Sequence, residues 1–213
     1  MENNLWYSVR DQSLAIYARN AGFDLAVYDG YPETVQEVLR KRAIQEALGA
    51  IKEECGEQDF EVADVRRGVY VIALSHPLSI QYRKWRSQVV YIGMGNILRR
   101  IKAHLEWTLF DFMRDLSGAE FDFHFACPAL QGTANYYKHV EHLMLEYFNE
   151  QYGGIDDSRR FPILNKNRGS DQHFRGGTDW WKKPLKATGR KPLWELKPTD
   201  YSVYAPLDTS EAE

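Results

Sequence analysis

Cysteine is nearly absent: Cys55 and Cys127 are the two in 213 residues. Two thiols cannot build a disulfide framework or a four-thiolate zinc site. No apolar run approaches the ~18 residues that a membrane helix needs. The opening MENNLWYSVRDQ lacks the basic-then-apolar pattern of a secretory leader. No internal repeat or low-complexity tract is visible. These absences point away from secreted, membrane-spanning and zinc-stapled classes, and toward a cytoplasmic protein in reducing surroundings. A further absence is local. Residues 65–105 contain no carboxylate, although the chain has 30 Asp and Glu.

Charge is therefore banded. Residues 1–64 carry 6 Lys/Arg and 13 Asp/Glu, whereas residues 65–105 carry 8 and none. Residues 106–157 carry 2 and 10, residues 158–197 carry 11 and 3, and the tail from Pro198 carries 0 and 4. Two bands of net +8 each suggest two basic surfaces for a polyanion, which the overall net charge of −3 conceals.

The periodicity gives an ordered set of elements. Thr34, with Glu37 three residues on, reads as a capping box. Val35, Val38, Leu39, Ile44, Leu48 and Ile51 follow at helical spacing, and Gly56 ends the run. Gly68–Leu74 and Gln88–Gly93 read as buried strands joined by a loop that contains Gln81-Tyr-Arg-Lys-Trp-Arg86. Asn96 is a candidate cap for a helix burying Ile97, Ile101, Leu105, Phe112, Met113 and Leu116. Phe121–Cys127 alternates as a third strand, and Thr133 opens a last helix that buries Val140, Leu143, Met144, Tyr147 and Phe148. This order predicts an α+β fold: a small mixed or antiparallel sheet of about three strands flanked by helices. It divides into a helical N-terminal extension (1–66), a core domain (67–166), and a basic-aromatic arm with an acidic tail (167–213).

Several side chains in the core suit phosphodiester chemistry. Hydrolysing that bond requires an aligned water, neutralised phosphoryl oxygens and help for the leaving oxygen. Arg100 follows a glycine-rich turn, and its guanidinium matches phosphate oxygens bidentately. His104, four residues on, shares its helix face and can take a proton near neutral pH. Trp107 and Asp111 continue that stripe. Tyr70 and Tyr91 alternate with Gly68 and Gly93, glycines that would let a phosphate approach the backbone. A phenol is a poor base unless positive charge lowers its pKa, and the acid-free band supplies such charge. Glu141 is a single carboxylate that could hold Mg²⁺ together with a substrate phosphate and waters. Glu146 is the fallback if the helix register differs. His139 and His142 flank Glu141, but their i, i+3 spacing and the lack of a third ligand argue against zinc.

Taken together, Gly68-Val69-Tyr70, Tyr91-Ile92-Gly93, the Arg100/His104 pair, Glu141 and Asn165 resemble the GIY-YIG nuclease family. The resemblance spans residues 68–165. Tyr70 and Tyr91 are further apart than in compact members, as in some restriction-endonuclease-like ones, and the gap from Glu141 to Asn165 is also long. The resemblance implies catalytic roles for Tyr70, Tyr91, Arg100, His104, Glu141 and Asn165. Tyr70 would lie near the attacking water, Tyr91 would orient groups in the pocket, and Glu141 would hold Mg²⁺ or Mn²⁺. The implied activity is metal-dependent cleavage of DNA, as in restriction or another defence system. A non-catalytic nucleic-acid-binding module and an RNA-directed nuclease are the alternatives. The cations expected to track phosphates are Arg83, Lys84, Arg86, Arg99, Lys102, Lys166, Arg168, Arg175, Lys182 and Lys183. Trp180, Trp181 and Trp194 could stack on bases or fill the core. Cutting both strands of a symmetric site would favour a homodimer or two sequential events.

Overall fold

Gly68–Leu74, with four β-branched or aromatic residues among seven, is buried at every position and forms the inner strand β2. The structure, a computed structural model, describes residues 2–116, 118–153, 162–165, 178–186 and 193–197. Along the chain run β1 (Trp6–Gln12), α1 (Leu14–Asn20), α2 (Glu33–Glu57), β2, β3 (Leu78–Gln81), β4 (Arg86–Ser87), β5 (Val89–Gly95), α3 (Ile97–Trp107), α4 (Leu109–Asp115), β6 (Phe121–Ala126), α5 (Tyr136–Phe148) and β7 (Trp194–Leu196). The fold is mixed α+β. Four antiparallel strands are ordered β1-β6-β2-β5, and a small second sheet is ordered β4-β3-β7. Among the described residues no helix is long and apolar enough to cross a membrane.

The main sheet has one more strand than the sequence patterns predict. β1 pairs with β6, setting Val9 opposite Phe123. The N-terminal segment is thus a structural edge of the sheet as well as a helical layer. Its aromatic, irregular sequence hides the strand because Trp6, Tyr7 and Val9 are all buried, which leaves no clean alternation. The second sheet also lies in a stretch that reads as loop. There β7 runs parallel to β3, with Leu78 opposite Trp194, so part of the C-terminal arm folds back on the insertion between β2 and β5.

The helices differ in detail from their expected bounds. α2 starts at Glu33 after Pro32, which puts Thr34 inside the first turn instead of at the cap, and it runs past Gly56. Its contact face is built from Ala43, Ile44, Ala47, Ile51 and Cys55, while Val35 and Val38 are exposed. Small alanines allow close approach and carry little hydropathy signal. Asn96 does cap α3, its Oδ1 accepting from the Arg99 amide at 3.0 Å. The long helix expected through Leu116 breaks at Thr108 into α3 and α4. α5 begins at Tyr136, later than Thr133, and passes into a π-helical turn, Asn149–Gly153.

Both α3 and α5 pack on β2 and β5, and β5 is a sheet edge. That edge is covered by residues 162–165. The Leu164 amide donates to the Val90 carbonyl at 3.0 Å, and the Asn165 side chain exchanges two hydrogen bonds with the Ile92 backbone at 2.9 and 2.7 Å. Covering an edge removes an open template for strand pairing.

If β1 is integral to the core, Val9→Asp will lower stability by about 3 kcal/mol or more, because an unpaired charge would be buried against Phe123. Denaturant unfolding followed by tryptophan fluorescence and circular dichroism should show one transition at lower midpoint. An unchanged midpoint would mean that the strand is a detachable arm.

Candidate active site

β2 and β5 are registered so that Tyr70 lies opposite Gly93, and Tyr91 opposite Ile72. Strand alternation then puts both phenols on one sheet face, where their rings stack at 5.7 Å. A Cβ built on Gly93 would sit 2.5 Å from the Tyr70 Cζ and Oη, and the same distance from a Tyr91 ring carbon. At Gly68 the space is filled by Ile97 and Val65 side chains. The sequence suggested that these glycines open the backbone to a phosphate. The packing corrects that: they make room for protein side chains.

α3 presents three faces. Ile97, Ile101 and Leu105 are buried. Arg100 and His104 share a second face turned toward the tyrosines. The Tyr70 hydroxyl is 2.8 Å from His104 Nε2, and the Arg100 guanidinium is 3.4 Å from the Tyr91 hydroxyl. The Arg100 charge also acts on Tyr70, opposing the effect of its burial. In the tautomer whose Nε2 carries no proton, the Tyr70 hydroxyl donates to it. The Tyr91 and His104 rings lie 4.2 Å apart. Arg99 and Lys102 occupy the third face.

Electrostatics sharpen this picture. Burial pushes the Tyr70 phenol well above its ordinary pKa and outweighs the opposing effect of Arg100. The expectation that basic surroundings would lower a tyrosine pKa fails at Tyr70, since the residue is fully buried and desolvation dominates. His104 is lowered from 6.5 to about 4, first by burial and then by Arg100. It is therefore a neutral imidazole at pH 7, able to accept the Tyr70 proton.

A cleft of about 660 Å³ opens on this cluster. Tyr91, Arg100, His104, Trp107, Glu141 and Asn165 are among its walls. Thus five of the six residues singled out as catalytic reach one cleft from β5, α3, α5 and the segment after it. Tyr70 does not line it and sits behind Tyr91 and His104. Asn165 lines the cleft, but its amide is occupied by Ile92, which makes it a clamp on the strand carrying Tyr91. Glu141 is nearly buried in the wall, whereas Glu146 lies 3.2 Å from His142 Nε2 and outside the cleft. Asp111 also lies elsewhere. The break at Thr108 turns it toward Arg40, at 3.4 Å, while Trp107 projects at 78% exposure. Thr108 itself lines the cleft, and no sequence signal marks it.

The expected phosphate-tracking cations are dispersed. Lys84 donates to the Glu150 carbonyl at 2.9 Å, and Arg86 lies on β4 of the small sheet. Arg83 neighbours them in the same insertion. Lys182 pairs with Asp179 at 2.8 Å and lies over the Tyr147 and Trp181 rings. Lys183 lines a cavity with Ser8 and His124, on the sheet face opposite Tyr70. Lys166, Arg168 and Arg175 lie outside the described residues. Of the tail tryptophans, Trp181 is buried, Trp180 packs on Trp6 at 5.8 Å, and Trp194 is exposed.

Comparison with protein families, curated proteins and solved structures finds no match.

The His104 ring resonances should titrate with a midpoint near 4. Between 6.5 and about 4 the unfolded chain takes up a proton that folded His104 refuses, so this group's stabilisation is lost as pH falls. Titration by NMR tests it, and a midpoint near 6.5 would contradict the buried pairing with Tyr70.

Proposed function

We propose that the protein is a metal-dependent endonuclease of the GIY-YIG type that hydrolyses DNA phosphodiesters, in a restriction or other defence role. The observation that carries this reading is the meeting, in one open cleft, of a guanidinium and a neutral imidazole from α3, a phenol from β5 and a carboxylate from α5. Binding alone would not require a nearly buried Glu141 in the wall of the cleft that Arg100 and His104 line. That favours catalysis over a binding-only module.

Arg100 holds the scissile phosphate and stabilises charge developing on its oxygens. The accepting nitrogen of His104 is occupied by Tyr70, so a proton reaches it through the phenols. As the water oxygen bonds to phosphorus and the bond to the leaving oxygen breaks, the water proton passes to the Tyr91 oxygen. The Tyr91 proton passes to the oxygen of Tyr70, the phenol stacked on it at 5.7 Å between ring centroids. The Tyr70 proton passes to His104 Nε2. The relay ends on imidazolium and forms no free phenolate. Bound phosphate offsets the Arg100 charge that helps keep His104 neutral. The leaving oxygen takes its proton from solvent.

The donors present fit a hard cation. Glu141 contributes a carboxylate to a cleft that Thr108 and Tyr91 also line and that has space for waters. Among the described residues no cluster of three His, Cys, Asp or Glu forms a cage. One carboxylate suits an ion that keeps most of its waters, such as Mg²⁺ or Mn²⁺. Held by Glu141, that ion would supply Lewis-acid stabilisation of the leaving oxygen.

Plasmid DNA incubated with Mg²⁺, with and without EDTA, tests the reading, and parallel RNA substrates test the nucleic acid class. Cleavage is expected on DNA with Mg²⁺ only. Arg100→Ala should lower turnover by about 10²–10³ while weakening DNA binding much less. Near-normal turnover by a folded variant would remove Arg100 from the chemistry.

A further inference from the structure

On the far side of α3 from the cleft lies a second opening of about 640 Å³, between α3, α2 and the turn leading into β2. Its walls carry Lys41, Lys52, Arg66, Arg99 and Lys102 against a single carboxylate, Glu106. Two of these cations, Lys41 and Lys52, belong to the acid-rich first 64 residues, where sequence reading finds no binding surface. The charge is segregated by helix face. Lys41, Gln45, Leu48 and Lys52 recur along α2 at spacings of four, three and four residues, which is one stripe. That stripe turns toward α3, although α2 as a whole is acidic, with six Glu against four Lys and Arg.

We propose that this groove binds the phosphate backbone of the same duplex whose scissile phosphate enters the cleft. The inference rests on the nuclease reading and extends the substrate surface to the N-terminal segment. Arg99 and Lys102 stand on one side of α3, with Arg100 and His104 on the other. The two openings are thus about one helix diameter apart, on the order of 10–12 Å. Duplex DNA carries a charge about every 1.7 Å of its axis, so one molecule spans both. Lys52, Arg66 and Arg99 have no ion pair among the described residues. The two pairs at the groove, Lys41–Glu37 at 2.7 Å and Lys102–Glu106 at 3.7 Å, are solvent-exposed. Exposed pairs are weak and readily exchanged for phosphate.

The test is the double variant Lys52→Ala/Arg66→Ala, in which both side chains are exposed and removal leaves the core intact. Affinity for a labelled DNA duplex is measured in EDTA across a salt series, beside wild type and an Arg19→Ala control on α1. The groove predicts about tenfold weaker binding at low salt, and a slope of log affinity against log salt shallower by about two. The control should match wild type. Wild-type affinity and slope in the double variant would overturn the groove, as would a wild-type protein that does not bind DNA. Because the readout is binding, a protein that binds through these residues and fails to cleave would uphold the groove while removing the nuclease reading.

Discussion

Tyr70 has to occupy space that any side chain at position 93 would fill. Its ring lies on the bare backbone of Gly93, and its hydroxyl reaches His104. That contact fixes the face of α3 turned to the sheet, because Ile97, Ile101 and Leu105 must be buried in the same register. Arg100 and His104 then project at the β5 edge beside Tyr91. The same burial that anchors the phenol keeps His104 neutral, so one packing constraint sets both the geometry and the protonation state of the cluster.

The rest of the fold holds this joint in place. β1 and β6 extend the sheet behind β2, and residues 162–165 close the β5 edge through Asn165 and Leu164. α2 backs α3 and, with the turn before β2, walls the second basic opening. α3 is therefore a ridge between two openings. Its faces differ in chemistry: apolar toward the sheet, Arg100 and His104 toward the cleft, and cationic or ion-paired toward α2.

Much of this arrangement was legible in the sequence where the signal is local. The strand triplets containing Tyr70 and Tyr91, the i, i+4 spacing of Arg100 and His104, and the Asn96 cap need only short-range rules. Glu141 at the margin of an apolar stripe is of the same kind. Long-range pairing is what escaped. β1 becomes a strand only because β6 lies beside it, more than a hundred residues away. The burial of Tyr70 behind Tyr91 depends on the ring-to-glycine contact between two strands, so its pKa moves opposite to the charge-based expectation. The contribution of Lys41 and Lys52 to the second basic opening was hidden because net charge averages over all faces of α2. The break at Thr108, which sends Asp111 to Arg40, has no local marker.

The central claim is that the carboxylate in the cleft serves chemistry, and Glu141→Gln tests it most directly. Glutamine keeps the volume and helix propensity of the side chain while removing its charge and its affinity for Mg²⁺. Mg²⁺-dependent cleavage and DNA affinity are measured side by side for Glu141→Gln and Glu146→Gln. The account predicts near-complete loss of cleavage for Glu141→Gln, with DNA binding retained or tightened, and activity close to wild type for Glu146→Gln. Full cleavage by a folded Glu141→Gln protein would contradict it.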